Sequence, residues 1–194
     1  DRGVKTNPLN DNFEKEEFKK TIIAEYLEYL AGYADSGEQH QNPVLSRVIF
    51  WLIDIGDIHH AMMYARLAIA QQQLAPEGFK RDLTTAVTED LFMWAERQYK
   101  NKASAEPYLS EVAQLCLTKE WIVAEPIVLS KMYRHLGIIA EDNQDWATTI
   151  TWFEHAETVN GKSAGVKTRL KKAREKLNPG TKESNDAASN KAAK

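Results

Sequence analysis

An all-α fold of about eight helices, arranged as antiparallel hairpins, is predicted by three observations. Apolar residues recur at three- and four-residue steps along most of the chain. Pro, Asn or Asp stands where several of those patterns begin, as helix starts require. No stretch shows the strict apolar and polar alternation of a half-buried strand. Short loops between the patterns fit helices packed against their neighbours in sequence. The expected organisation is a flexible lead-in over 1–12, one helical domain over 13–178 and a disordered tail over 179–194.

From Phe13 the first helix is marked by Phe18, Ile22, Tyr26, Leu30 and Tyr33. Asp35-Ser36-Gly37 ends it. Asn42-Pro43 starts the second, with Asn as cap and Pro in the first turn. Leu45, Ile49, Phe50, Leu52 and Ile53 carry that helix to a turn at Gly56-Asp57. A third helix leaves over about 58–73, with Ala61, Ala65 and Ala68 on one face. Small residues at that spacing let two helices approach closely. A loop over 74–82 holds Pro76, Gly78, Lys80 and Arg81. The fourth helix holds Val87, Leu91, Trp94, Ala95 and Tyr99. Pro107 opens a fifth with Leu109, Val112, Leu115 and Cys116, and Pro126 a sixth with Ile127, Leu129, Met132, Tyr133, Leu136 and Ile139. A seventh follows Asp145, and an eighth runs from about Ser163 to Leu177. Beyond Asn178-Pro179-Gly180 no apolar pattern is left.

Part of this pattern repeats. Tyr133, Leu136, Gly137, Phe153 and Ala156 match the spacing of a tetratricopeptide unit, with Thr149 where alanine is usual. Asp57, Ala61, Ala65 and Ala68 correspond to Asp145, Thr149, Phe153 and Ala156. Residues 80–125 do not repeat it, so a full solenoid is not expected.

The net charge of −3 conceals an asymmetry. Residues 162–194 hold ten Lys or Arg against three acids, whereas the rest holds fifteen against twenty-five. An acidic body with a basic end points to a polyanion or an acidic partner at that end, or to a solvated basic helix. The single cysteine, Cys116, lies in the apolar run from Val112 to Leu117. One thiol makes no intrachain disulfide, so a reducing compartment and a small core residue are expected. No apolar run reaches membrane-spanning length, and no signal peptide is read. The chain opens at Asp1 rather than Met, which leads us to expect a further segment before it in the native protein.

Metal-dependent nuclease chemistry needs carboxylates converging on one or two ions. The candidates are Asp54 with Asp57, Glu89 with Asp90, and Glu141, Asp142 and Asp145. Helix capping accounts for Asp57 and Asp145, and a solvated helix end for Glu141 and Asp142. No two of His40, His59, His60, His135 and His155 show zinc-helix spacing. No Gly-rich phosphate loop and no nucleophile elbow is present, so no cofactor, metal or catalytic residue is assigned. The eighth helix is more informative. Val166, Leu170, Ala173 and Leu177 form an apolar stripe, and Lys167, Arg169, Lys171, Lys172, Arg174 and Lys176 occupy much of the remaining surface. Such a helix can dock on a body and face phosphates. Lys80 and Arg81 form a smaller basic point. Trp51, Trp94, Trp121, Trp146 and Trp152 could stack on bases but fall mostly on apolar faces, which predicts core positions. One of Trp146 and Trp152 is expected to be exposed.

The stretch Trp51-Leu52-Ile53-Asp54-Ile55-Gly56-Asp57-Ile58, with Ala61 and Ala65, resembles the signature of phage terminase small subunits of the peduovirus type, which serve cohesive-end packaging. Pro76-Glu77-Gly78-Phe79-Lys80-Arg81 with Thr88-Glu89 is similar to the family's loop in the same place. So is Ala164-Gly165-Val166-Lys167, leading into a Lys/Arg/Glu/Leu helix that closes at Pro179. The resemblance covers about 13–179. It implies recognition of the packaging site in concatemeric phage DNA, and recruitment of a large subunit carrying the motor ATPase and nuclease. It further implies a homo-oligomeric ring, action in the host bacterial cytoplasm and no membrane partner. The family's endonuclease-subunit label then describes the holoenzyme. Two other readings stay open: a metal-dependent endonuclease using Asp54, Asp57 and neighbours, and a helical-repeat scaffold that binds protein alone. Relatives also carry a basic N-terminal segment ahead of the region matching Phe13, where site recognition could reside.

Overall fold

The structure is a computed structural model that describes residues 8–179, with eight α-helices and no strand among them. The described residues divide into two compact units, with the boundary between Tyr108 and Leu109. The tail expected over 179–194 falls outside the described residues except for Pro179, as do residues 1–7 of the lead-in.

In the first unit, α1 spans Pro8–Ser36, α2 Pro43–Ile55, α3 Ile58–Ala70 and α4 Leu83–Lys100. The first helix thus begins at Pro8, five residues before the expected Phe13. Helix α2 is central and packs on α1, α3 and α4. Its Leu45, Val48, Ile49, Leu52 and Ile53 are essentially fully buried, beside Leu30 of α1 and Val87 and Leu91 of α4. Ala61, Ala65 and Ala68 of α3 are completely buried, so their lack of bulk is what lets α3 lie close to α2. The α2–α3 turn closes with Gly56 at φ 82°. Gly56 N–H donates to Ile53 C=O at 3.2 Å and Asp57 N–H to Leu52 C=O at 2.9 Å, which satisfies the last carbonyls of α2. A residue with a Cβ would be strained at that φ.

The ends of α1 and α3 are joined by a polar network around Gln73, a buried side chain. Gln73 Nε2 donates to His40 C=O at 2.7 Å, and its Oε1 accepts from Asn42 N–H at 2.6 Å. Tyr33 Oη lies 2.9 Å from His40 C=O and 2.8 Å from Gln71 Oε1. Asn42 in turn caps α2 through Leu45 N–H at 3.0 Å.

In the second unit, α5 spans Tyr108–Leu117, α6 Pro126–Asp142, α7 Trp146–Asn160 and α8 Lys167–Leu177. Helix α7 packs on both α6 and α8. Val128, Met132, Tyr133 and Leu136 of α6 meet Phe153 and Ala156 of α7 and Leu170 and Ala173 of α8 in one core. Cys116 is buried, as expected of a small core residue. The start expected for the last helix at Ser163 is corrected. A 3-10 turn occupies Gly161–Ala164, and Gly165 at φ 68° breaks the chain before α8. Among the described residues no helix is long and apolar enough to cross a membrane.

Candidate nucleic-acid interface

Helix α8 is held by its apolar stripe. Val166, just before it, and Leu170 and Ala173 within it are buried, whereas Leu177 at its end is half exposed. At about 100° per residue, Arg169 and Arg174 flank that stripe on opposite sides. Each reaches an acid on a neighbouring helix. Arg169 pairs with Glu141 of α6, and Arg174 Nη2 lies 2.7 Å from Glu154 Oε1 of α7. The two arginines therefore fasten α8 to the helices beneath it.

Lys171 and Lys172 point away from the stripe, and Lys167 and Lys176 lie on its two sides, next to Arg174 and Arg169 respectively. All four are exposed, and none has an acidic partner among the described residues. Glu175 lies on the same helix, and Glu157 of α7 faces Lys167 and Lys171 across a shallow groove. The lysines still outnumber these acids two to one, so the outer surface of α8 is positive. Lysine suits this position as a hydrated, mobile point charge, and arginine suits the paired flank through its rigid fork. The six-residue expectation for α8 thus separates into two arginines engaged by the fold and four lysines open to solvent.

The 74–82 loop separates similarly. Phe79 packs 4.5 Å from the Phe50 ring, Arg47 lies 5.7 Å over its face, and Arg47 Nη2 donates to Glu77 C=O at 3.1 Å. The anchored loop leaves Lys80 exposed, whereas Arg81 pairs with Glu89 of α4.

Several acids considered for metal chemistry are engaged in the fold. Asp57 and Asp145 cap α3 and α7, accepting from His60 N–H at 3.3 Å and Thr148 N–H at 3.1 Å. Asp54 pairs with Lys19 of α1, and Glu89 and Glu141 with the arginines already described. Asp90 of α4 is partly buried. Burial, with the Asp54 carboxylate beside it, pushes its pKa up to about 6. Among the described residues no three His, Cys, Asp or Glu side chains gather as a metal site.

The tryptophans differ from expectation. Trp121 is buried, but Trp51, Trp94, Trp146 and Trp152 are all half-buried. Trp152 stacks on Tyr133 at 5.7 Å, and Trp51 meets the edge of Tyr26 at 5.2 Å, so part of each ring is taken up by internal contacts. Sequence reasoning missed the partners of the arginines, which come from residues 20 and 28 positions away. It also passed over the Gln71-Gln72-Gln73 run, a signal that was present.

The fold is all-helical among the described residues, and its last helix carries four exposed lysines. The chain belongs to the phage small terminase subunit family, whose pattern it matches over residues 5–126. It is 27% identical over 147 residues to a probable terminase, endonuclease subunit of Haemophilus phage HP1, covering 75% of this chain and 52% of that protein. It is 25% identical over 162 residues to a terminase, endonuclease subunit of Escherichia phage P2, covering 83% of this chain and 64% of that one. The chain thus spans between about half and two-thirds of the length of these curated relatives. No solved structure gives a significant match. The family pattern stops before α8, so the case for the lysine face rests on its own charge and geometry.

Proposed function

We propose that this chain is a DNA-binding, oligomerising regulator of phage genome packaging. In this reading it engages packaging-site DNA and brings it to a large subunit that carries the ATPase and nuclease, in the host cytoplasm. The observation that carries it is the outer face of α8, where Lys167, Lys171, Lys172 and Lys176 stand free of acidic partners among the described residues. Phosphate contacts by lysines are individually weak, and a ring of subunits multiplies them. Lys80 is a second, smaller contact.

Family membership supports the terminase part of this reading. The name endonuclease subunit, which the relatives carry, we take to describe a complex in which cutting is done by the large subunit. Engagement of Asp54, Asp57, Glu89 and Glu141 in pairs and caps favours that view over an autonomous nuclease. We also propose that residues 13–178 act together as one domain, with the α2–α3 and α6–α7 hairpins packed in a tetratricopeptide-like manner.

The experiment is a light-scattering mass of the chain with and without cohesive-end DNA at two salt concentrations. A defined oligomer that gains mass with DNA at low salt supports the proposal. A monomer indifferent to DNA at both salts overturns it.

A further inference from the structure

The outer face of α1 is the chemical opposite of the outer face of α8. Glu14, Glu17, Glu25, Glu28 and Asp35 are all exposed and fall within about a quarter of the helix circumference. Glu17 is answered by Lys20 at 2.7 Å. Glu25, Glu28 and Asp35 have no basic partner among the described residues. Between them lie Ala31 and Gly32, and a Cβ added at Gly32 would meet nothing within 4 Å. A groove along this part of α1 is lined by Glu25, Glu28, Tyr29, Gly32 and Glu38, with Tyr29 half exposed. The face is acidic, low in profile and edged by an aromatic ring.

Lengths agree as well as signs. Glu25 to Asp35 spans about 15 Å of helix, and Lys167 to Lys176 about 14 Å. Four lysines on one helix, spread around Glu175 over about half its circumference, and three carboxylates on another are thus opposite in charge and similar in axial length.

We infer that α8 of one copy docks, lysine face inward, on the acidic outer face of α1 of a second copy, and that DNA competes with this contact for the same four lysines. The two surfaces differ, so the contact is head-to-tail and passes from copy to copy. Free chains would mask their lysines on each other, and DNA would exchange one polyanionic surface for another. The competition half of the inference rests on the proposed DNA contact, whereas the docking half does not.

The test uses full chains carrying Glu25→Lys with Glu28→Lys, or Lys171→Glu with Lys172→Glu, in sedimentation at low salt. All four positions are exposed, so folding is expected to be retained, and circular dichroism checks it. Each variant alone is expected to self-associate about tenfold more weakly than wild type. An equimolar mixture is expected to regain association, since reversed α8 meets reversed α1 and the unaltered pair meets in the alternate contact. A wild-type chain that stays monomeric, variants that keep wild-type mass, or a mixture as dissociated as its components would each overturn the docking. Glu25→Gln with Glu28→Gln is expected to bind a short duplex about threefold more tightly than wild type, because its lysines are released. Unchanged duplex affinity overturns the competition. Restored association in the mixture without any duplex binding would retain the docking and discard the DNA reading.

Discussion

Gly137 of α6 lies directly under the ring of Phe153 of α7. A Cβ at position 137 would stand 2.5 Å from Phe153 Cε1 and 3.2 Å from Cγ, and Phe153 is completely buried. The absence of a side chain there is what lets the two helices touch. Gly137→Ala is therefore expected to destabilise the chain by about 1–3 kcal/mol, despite the better helix propensity of alanine. Gly32→Ala is the control. That exposed helical position has open space, and the change is expected to stabilise by about 0.5–1 kcal/mol. Urea denaturation of both variants checks the contrast, and equal effects would mean that Phe153 yields more readily than its burial suggests.

Asp90 makes stability depend on pH. Its pKa is raised to about 6, mainly by burial and then by Asp54. A carboxyl with a folded-state pKa above its unfolded value holds its proton better in the folded chain. Its contribution to stability is therefore present below about pH 4 and is lost as pH rises through about 6. The full shift corresponds to about 3 kcal/mol, which screening at a partly exposed side chain reduces to about 1–2 kcal/mol. Asp90→Asn is expected to gain that amount near pH 7.5 and little near pH 4. Denaturation midpoints at the two pH values decide the matter. A gain of equal size at both would assign the effect to something other than the proton.

Gln73 ties the end of α3 to the 38–42 loop and to α1. Replacing it with Leu removes the side-chain partner of Asn42 N–H and one of the two donors to His40 C=O, the other being Tyr33 Oη. A loss of about 2–4 kcal/mol is expected. Faster amide exchange at Asn42 would accompany it. A stable variant with Asn42 still protected would show that water replaces the amide.

Helix starts were readable because they are local. Asn42-Pro43, Asp57 and Asp145 each cap or open a helix within three residues, and Pro126 opens α6. The start of α1 at Pro8 was not legible because Leu9, followed by Asn10, Asp11 and Asn12, is too little to set an apolar period. The start of α8 at Lys167 was not legible because Val166, which precedes the helix, already falls in register with Leu170 and Ala173. The site was half legible for the same reason. Charge along α8 is a local property, but Glu141 and Glu154, which occupy its arginines, are set by tertiary packing. Likewise, apolar spacing suggested core tryptophans, yet packing leaves four of the five half-buried.

The lysine face of α8 carries the central claim, and the salt dependence of duplex binding tests it most directly. Wild type and a chain with Lys167, Lys171, Lys172 and Lys176 all changed to Gln would be titrated with a packaging-site duplex across a range of salt. Removing one lysine from a phosphate is expected to flatten the log–log slope by about 0.9, so the four together should remove about 3–4 and weaken low-salt affinity sharply. Arg169→Gln should change the slope less, because that side chain is already paired with Glu141. An unchanged slope and affinity in the four-lysine variant would contradict the account.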